Sequence, residues 1–156
     1  MFKRIDGVNL NIWKLFEIKR NRNQIIIATT FNWVHNVNGL RWFINSVLPL
    51  VRKQKKDVFL SIIGKNIPKE FFEKTKFENE IQDFDQNSII QESDNLNKNI
   101  SNGLQLLGYV QSVTPFLNNA SVYIAPLFVG SGIRIKILEA MAMELPIVAT
   151  PVSAEG

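Results

Sequence analysis

Short apolar runs rich in β-branched residues alternate along this chain with stretches of helical periodicity, and that alternation leaves few architectures open. Gln24-Ile25-Ile26-Ile27-Ala28-Thr29 is continuous and apolar, the pattern of a strand buried on both faces. Over 37–55 the apolar positions Leu40, Phe43, Ile44, Val47, Leu48 and Val51 recur at helical spacing. Arg52, Lys53, Lys55 and Lys56 gather at the end of that stretch, where a helix dipole favours cations. A second strand is predicted over 58–63, closed by Gly64, and Pro68 opens a short helix where its missing N–H does no harm. Further strands are predicted over 104–110, 121–127 and 146–152, with helices from Thr114-Pro115 and over 133–144. Strand–helix alternation of this kind implies an α/β fold, a Rossmann-like parallel sheet with helices on both faces.

The rhythm breaks between Phe77 and Gly103, a stretch rich in Asn, Gln, Asp and Ser that reads as a long polar loop. It also distorts the charge. Of 14 Asp and Glu in the chain it holds six (Glu78, Glu80, Asp83, Asp85, Glu92, Asp94), against one of the 18 Lys and Arg, Lys98. The remainder, with 17 basic and 8 acidic residues, carries +9. Such a body attracts phosphates, anionic lipid or nucleic acid, or its cations simply solvate the surface. A length of 156 residues suits one domain. The absence of cysteine excludes disulfides and thiolate metal sites. No apolar run approaches the roughly 18 residues that span a bilayer. The first residues lack the apolar stretch of a signal peptide, so the expected setting is cytoplasmic.

In doubly wound sheets the ligand lies beyond the carboxyl ends of the strands. One such end carries Val129-Gly130-Ser131-Gly132, which leads straight from a strand into a helix and leaves backbone N–H groups free to grip an anion. Arg134 and Lys136 fall in the first turn of the predicted helix, where the dipole disfavours cations. A diphosphate between them resolves the conflict; two exposed cations tolerated at a few tenths of a kcal/mol each are the alternative. Glu139 lies in an otherwise apolar stretch. Its two oxygens suit the paired hydroxyls of a ribose, or it is a glutamate paired with Lys136 three residues earlier.

The run Gly130-Ser131-Gly132-Ile133-Arg134-Ile135-Lys136-Ile137-Leu138-Glu139-Ala140-Met141-Ala142, continuing to Thr150, resembles the donor-site signature of retaining glycosyltransferases of family four. That family has the GT-B fold, two Rossmann-like domains facing across a cleft. Pro151-Val152-Ser153-Ala154-Glu155-Gly156 is similar to the loop after the signature. Asn32-Trp33, the run from Asn36 to Phe43, Gly64-Lys65 and Leu107-Gly108-Tyr109-Val110 extend the resemblance over most of 24–156. Asp6-Gly7-Val8-Asn9-Leu10-Asn11-Ile12-Trp13 resembles the segment that passes from the first domain of such enzymes into the second. The resemblance thus implies an interdomain linker over 1–22 and a nucleotide-sugar-binding domain over 23–156, one half of a GT-B fold. On this reading the chain begins in the linker and stops before the family's last strand and helices.

Residue by residue, the resemblance implies that Glu139 binds the nucleotide ribose. The Gly130, Ser131, Gly132, Ile133 and Arg134 backbone, with Lys136, would lie near the diphosphate and donor sugar. Tyr109 and Val110 would border the base, and Lys65 joins the donor-binding set. Ser131 stands where the family often has a glutamate, and Thr29 where it has a glycine at the end of the first strand. Thr30 and His35 fall near positions where many members carry arginine and lysine. The implied reaction moves a sugar from a nucleotide-diphosphate donor to a carbohydrate or lipid-linked acceptor, with no bound metal and no cofactor beyond the donor. The acceptor would be held by an absent N-terminal domain, so this chain alone is expected to transfer little or nothing. Contact with the inner face of a membrane is compatible with the basic body; no nucleic acid is expected, and the oligomeric state is left open. A second reading is a non-catalytic remnant or interaction module, whose 146–152 strand would pair with a partner chain. A Rossmann dehydrogenase is disfavoured, because no glycine fingerprint follows the first strand.

Overall fold

The computed structural model describes residues 7–9, 13, 19–73 and 100–155. Five strands, β1 (Gln24–Ala28), β2 (Phe59–Ile63), β3 (Leu104–Gly108), β4 (Val122–Ala125) and β5 (Ile147–Ala149), form one parallel sheet in the order β3-β2-β1-β4-β5. Ile25, Ile26 and Ile27 make β1 the central strand. Its register runs from Gln24 opposite Phe59 to Ala28 opposite Ile63 on one side, and pairs Ile25 with Val122 on the other.

Because successive side chains of a strand point to opposite faces, the apolar runs supply two cores. On one face Leu40, Phe43, Ile44 and Leu48 cover Ile27, Leu60, Ile62 and Ile124. They come from α1 (Val34–Trp42), a π-helical turn (Phe43–Val47) and α2 (Leu48–Gln54), and Phe71 of α3 (Lys69–Glu73) joins them. On the other face Phe116 and Leu117 of α4 (Thr114–Asn119) pack with Ala140 and Met143, around α5 (Ile135–Ala142), over Ile26, Ala28, Leu107 and Tyr123. Each fully buried large side chain of this kind contributes about 1.5–3 kcal/mol. Helices on both faces of a parallel sheet are as the sequence predicts.

Several boundaries differ, the strand expected over 121–127 being Val122–Ala125. The helix expected over 37–55 begins at Val34 and is widened over Phe43–Val47, where the Leu48 N–H donates to the Phe43 carbonyl. The widening follows from Pro49, which has no N–H to offer the carbonyl of Asn45. The strand expected over 104–110 ends at Gly108, whose φ of +65° turns the chain away. The helix expected over 133–144 is Ile135–Ala142, so Arg134 is its N-cap rather than a first-turn residue. The strand expected over 146–152 stops at Ala149, because Pro151 opens the short α6 (Pro151–Ala154) at a position that needs no N–H.

Most of the polar loop expected over 77–103 and of the linker expected over 1–22 lies outside the described residues. Before β1, Arg20 donates to the carbonyls of Met143 (2.7 Å) and Glu144 (2.8 Å), satisfying groups at the C-terminal end of α5. Trp13 packs against the core under α4 and α5. No helix among the described residues is long and apolar enough to cross a membrane.

Candidate functional site

From β1 the chain proceeds outward to β2 and β3, then returns to place β4 and β5 on the other side. Loops leaving β1 and β4 therefore diverge, and a crevice opens between their carboxyl ends. It holds a cleft of about 440 Å³, floored by Ile27, Tyr123 and Ile124 and walled by Thr29, His35 and Asn36 on one side and Arg134 and Lys136 on the other. That volume suits a small-molecule ligand.

The β1 side is built around Asn36. Its buried amide donates to Thr29 Oγ1 (3.0 Å) and to the Thr30 carbonyl (2.7 Å), so the loop between β1 and α1 wraps a side chain. Gly39, one turn further on, lets α1 lie against the end of β4: a Cβ there would collide with the Pro126 carbonyl. Trp33 is 60% exposed at the rim, its ring stacked on His35 at 6.1 Å.

The β4 side is the Gly-Ser-Gly turn. Gly130 (φ +141°) and Gly132 (φ +83°) occupy backbone conformations that side chains avoid. No side chain caps the start of α5; the N–H groups of Ile137 (2.9 Å) and Leu138 (3.3 Å) turn to the Arg134 carbonyl. The Arg134 guanidinium folds back over Gly130, into space a Cβ would fill. Its Nε and Nη2 are buried with no hydrogen-bond partner among the described residues. Unpartnered buried donors on a cation are costly, and a native structure keeps them for a reason.

Glu139 is 8% exposed, and both its oxygens accept from Lys136 Nζ, at 2.8 and 3.1 Å. Lys136 is about half exposed, so the pair contributes at most about 1 kcal/mol. Beneath the helix, Tyr123 donates its hydroxyl proton to the Ala28 carbonyl at 3.0 Å. Burial pushes that hydroxyl well above the usual tyrosine range, and the Glu139 carboxylate adds to the shift.

A second, shallower pocket of about 350 Å³ lies at the ends of β2 and β3, with Lys65, Asn66 and Tyr109 in its lining. The Lys65 ammonium sits 4.4 Å from the centre of the Tyr109 ring. Asn66 donates to Asn32, and the Phe31 N–H to the Lys65 carbonyl (2.9 Å), so this pocket is tied to the β1–α1 loop.

Of the residues singled out from sequence, His35, Ile133, Arg134 and Lys136 line the cleft, while Lys65 and Tyr109 meet in the second pocket. Gly130, Ser131 and Gly132 form the exposed turn above Arg134. Glu139 reaches the cleft only through Lys136, and Thr30 through its carbonyl. The Val110 side chain is in the core, so only its backbone is free to border a ligand. Tyr123, and Asn36, which was quoted only within the run that carries the resemblance, form part of the cleft's floor and wall without having been assigned a role. Among the described residues no three His, Cys, Asp or Glu side chains gather to hold a metal ion.

The pattern of the family described as glycosyl transferases group 1 matches residues 22–156. The chain belongs to that family. It is 28% identical over 138 residues to an uncharacterised 44.6 kDa protein of the cps region of Klebsiella pneumoniae, covering 87% of this chain and 31% of the relative. Crystal structures of TarM share its fold. One aligns with a TM-score of 0.61 at 17% identity, covering 96% of this chain and 25% of TarM. Another, of an S. aureus TarM variant in complex with fondaparinux, α-GlcNAc-glycerol and UDP, aligns with 0.60 at 18% identity, covering 99% and 26%. The GtfA/B complex follows at 0.57 and 15%, covering 92% and 24%. The chain thus spans 24% to 31% of the length of these proteins.

Proposed function

We propose that this chain is the donor-binding, C-terminal half of a GT-B glycosyltransferase, and that the cleft between β1 and β4 takes the diphosphate of a nucleotide sugar. The observation that carries the reading is Arg134: a guanidinium with two buried, unpartnered donors, lying over a Gly-Ser-Gly turn at the open start of a helix. A doubly charged diphosphate supplies what those donors lack. Lys136 would turn from Glu139 to the phosphates, freeing the Glu139 oxygens for the ribose hydroxyls. Tyr109 and Lys65, which meet at the second pocket, would border the base. That TarM was crystallised with UDP fits the same chemistry.

Stabilisation of the departing diphosphate by backbone amides and cations needs no metal. With the resemblance to family four, this supports retaining, metal-independent transfer by the whole protein, with the nucleotide sugar as its one small-molecule requirement. The acceptor, a carbohydrate or a lipid-linked one at the cytoplasmic membrane face, falls to a further domain. The runner-up reading, an interaction module, draws on β5, an edge strand whose Val148 is 60% exposed.

Calorimetric titration with uridine, guanosine and adenosine diphosphate sugars tests the reading. One of them should bind the wild-type chain, with affinity falling on the order of tenfold or more for Arg134→Gln and Glu139→Ala, the loss expected for a charge-assisted hydrogen bond. The same preparation should transfer no sugar unaided. Binding of none of the three sinks the donor-site reading. A defined oligomer without nucleotide affinity would favour the module.

A further inference from the structure

The Gly-Ser-Gly turn is held at its base by a ring of hydrogen bonds from a different part of the chain. The last backbone rung between β4 and β5 runs from the Thr150 N–H to the Ala125 carbonyl, at 3.3 Å. In a regular parallel ladder the Thr150 carbonyl would take the next rung, from the Leu127 N–H. Instead α6 begins at Pro151, and that carbonyl accepts from Ser153 (3.0 Å) and Ala154 (3.2 Å). Two hydroxyls replace the missing rung. The Leu127 N–H donates to Ser153 Oγ at 3.1 Å, and Thr150 Oγ1 donates to the Leu127 carbonyl.

Proton bookkeeping then fixes the third bond. The Thr150 proton is committed to Leu127, so the contact of 3.0 Å between Thr150 Oγ1 and Ser153 Oγ has Ser153 as its donor. Each hydroxyl donates once and accepts once, and the ring closes through the two backbone polar groups of Leu127. Ser153 is 1% exposed, so water does not compete for it. Leu127 lines the cleft, and Gly130 lies three residues on.

We infer that Thr150 and Ser153 are positioning residues for the 128–134 turn, fixing its point of departure so that Arg134 and the free N–H groups of α5 meet the donor diphosphate. This inference rests on the donor-site reading above. A closed ring is cooperative, so opening it at either hydroxyl should be nearly as damaging as removing both.

The experiment measures affinity of the full chain for UDP, GDP and inorganic pyrophosphate, with amide hydrogen exchange as a second readout. Thr150→Val and Ser153→Ala should each weaken diphosphate binding by about tenfold, the scale of one or two buried hydrogen bonds. The double variant should be little worse, and Thr150→Ser, which keeps the hydroxyl, should bind as wild type. Exchange at 128–134 should accelerate while β1 and β2 stay protected, which a general loss of stability would not produce. Wild-type-like binding and exchange in both single variants overturns the positioning role alone. So does acceleration spread equally over β1 and β2, or an equal loss in Thr150→Ser. A wild-type chain that binds none of the three probes removes the donor site itself, and the inference with it.

Discussion

Lys136 reaches two places at once: it holds both oxygens of Glu139 and it lines the cleft. An anion entering that space competes with a carboxylate for one ammonium, so ligand binding and the Lys136–Glu139 pair are opposed. Tyr123 below them couples the fold to alkaline pH. Its proton is favoured in the fold, by burial and by Glu139, so it stabilises the protein fully below the unfolded tyrosine range of about 10 and is lost as pH rises beyond it. Wild type should therefore lose stability above about pH 10 faster than Tyr123→Phe, in denaturant melts compared pH by pH. Parallel loss in the two proteins would contradict this. Arg134 and Lys136 were legible in the sequence because local physics marks cations at a helix start as anomalous. Tyr123 and Asn36 were not: Tyr123 finds its acceptor 95 residues earlier in the chain, and Asn36 bonds back across a loop whose path no periodicity announces.

At the level of elements, α1 depends on Gly39. In an exposed helix, replacing Gly by Ala stabilises by about 1 kcal/mol. Here the new methyl would meet the Pro126 carbonyl, backbone that cannot step aside cheaply. Gly39→Ala should thus destabilise, by about 1–3 kcal/mol as for other overpacked sites. A urea midpoint raised by the substitution would show that α1 is not seated on β4. The helix itself was legible from its apolar positions, but its widening over Phe43–Val47 was not, since a periodicity argument passes over the one missing donor at Pro49. Pro151 misled similarly: apart from Thr150, Pro146 to Val152 is apolar, and the proline ring divides strand from helix.

For the whole molecule, the alternation of elements made the two-faced parallel sheet legible, whereas strand order was not, because it depends on pairings far apart in sequence. The sheet also carries a polar seam no local pattern announces. Gln24 donates to Ser61 (2.8 Å), Ser61 to Gln105 (2.6 Å), and Asn119 to the Gln24 side-chain oxygen Oε1 (2.8 Å), joining three strands and α4. Gln24, Ser61 and Gln105 are at most 2% exposed. Ser61→Ala breaks two of these bonds in the interior and should destabilise by about 1–3 kcal/mol in chemical denaturation. No measurable change would mean that the seam is dispensable.

Arg20 grips one end of α5, and the Gly-Ser-Gly turn opens at the other. Eight helical residues make a rod about 12 Å long. A rod held at one tip and open to the cleft at the other is a pushrod. Displacing the segment before β1 must then either break two hydrogen bonds or load the helix whose far end carries Arg134.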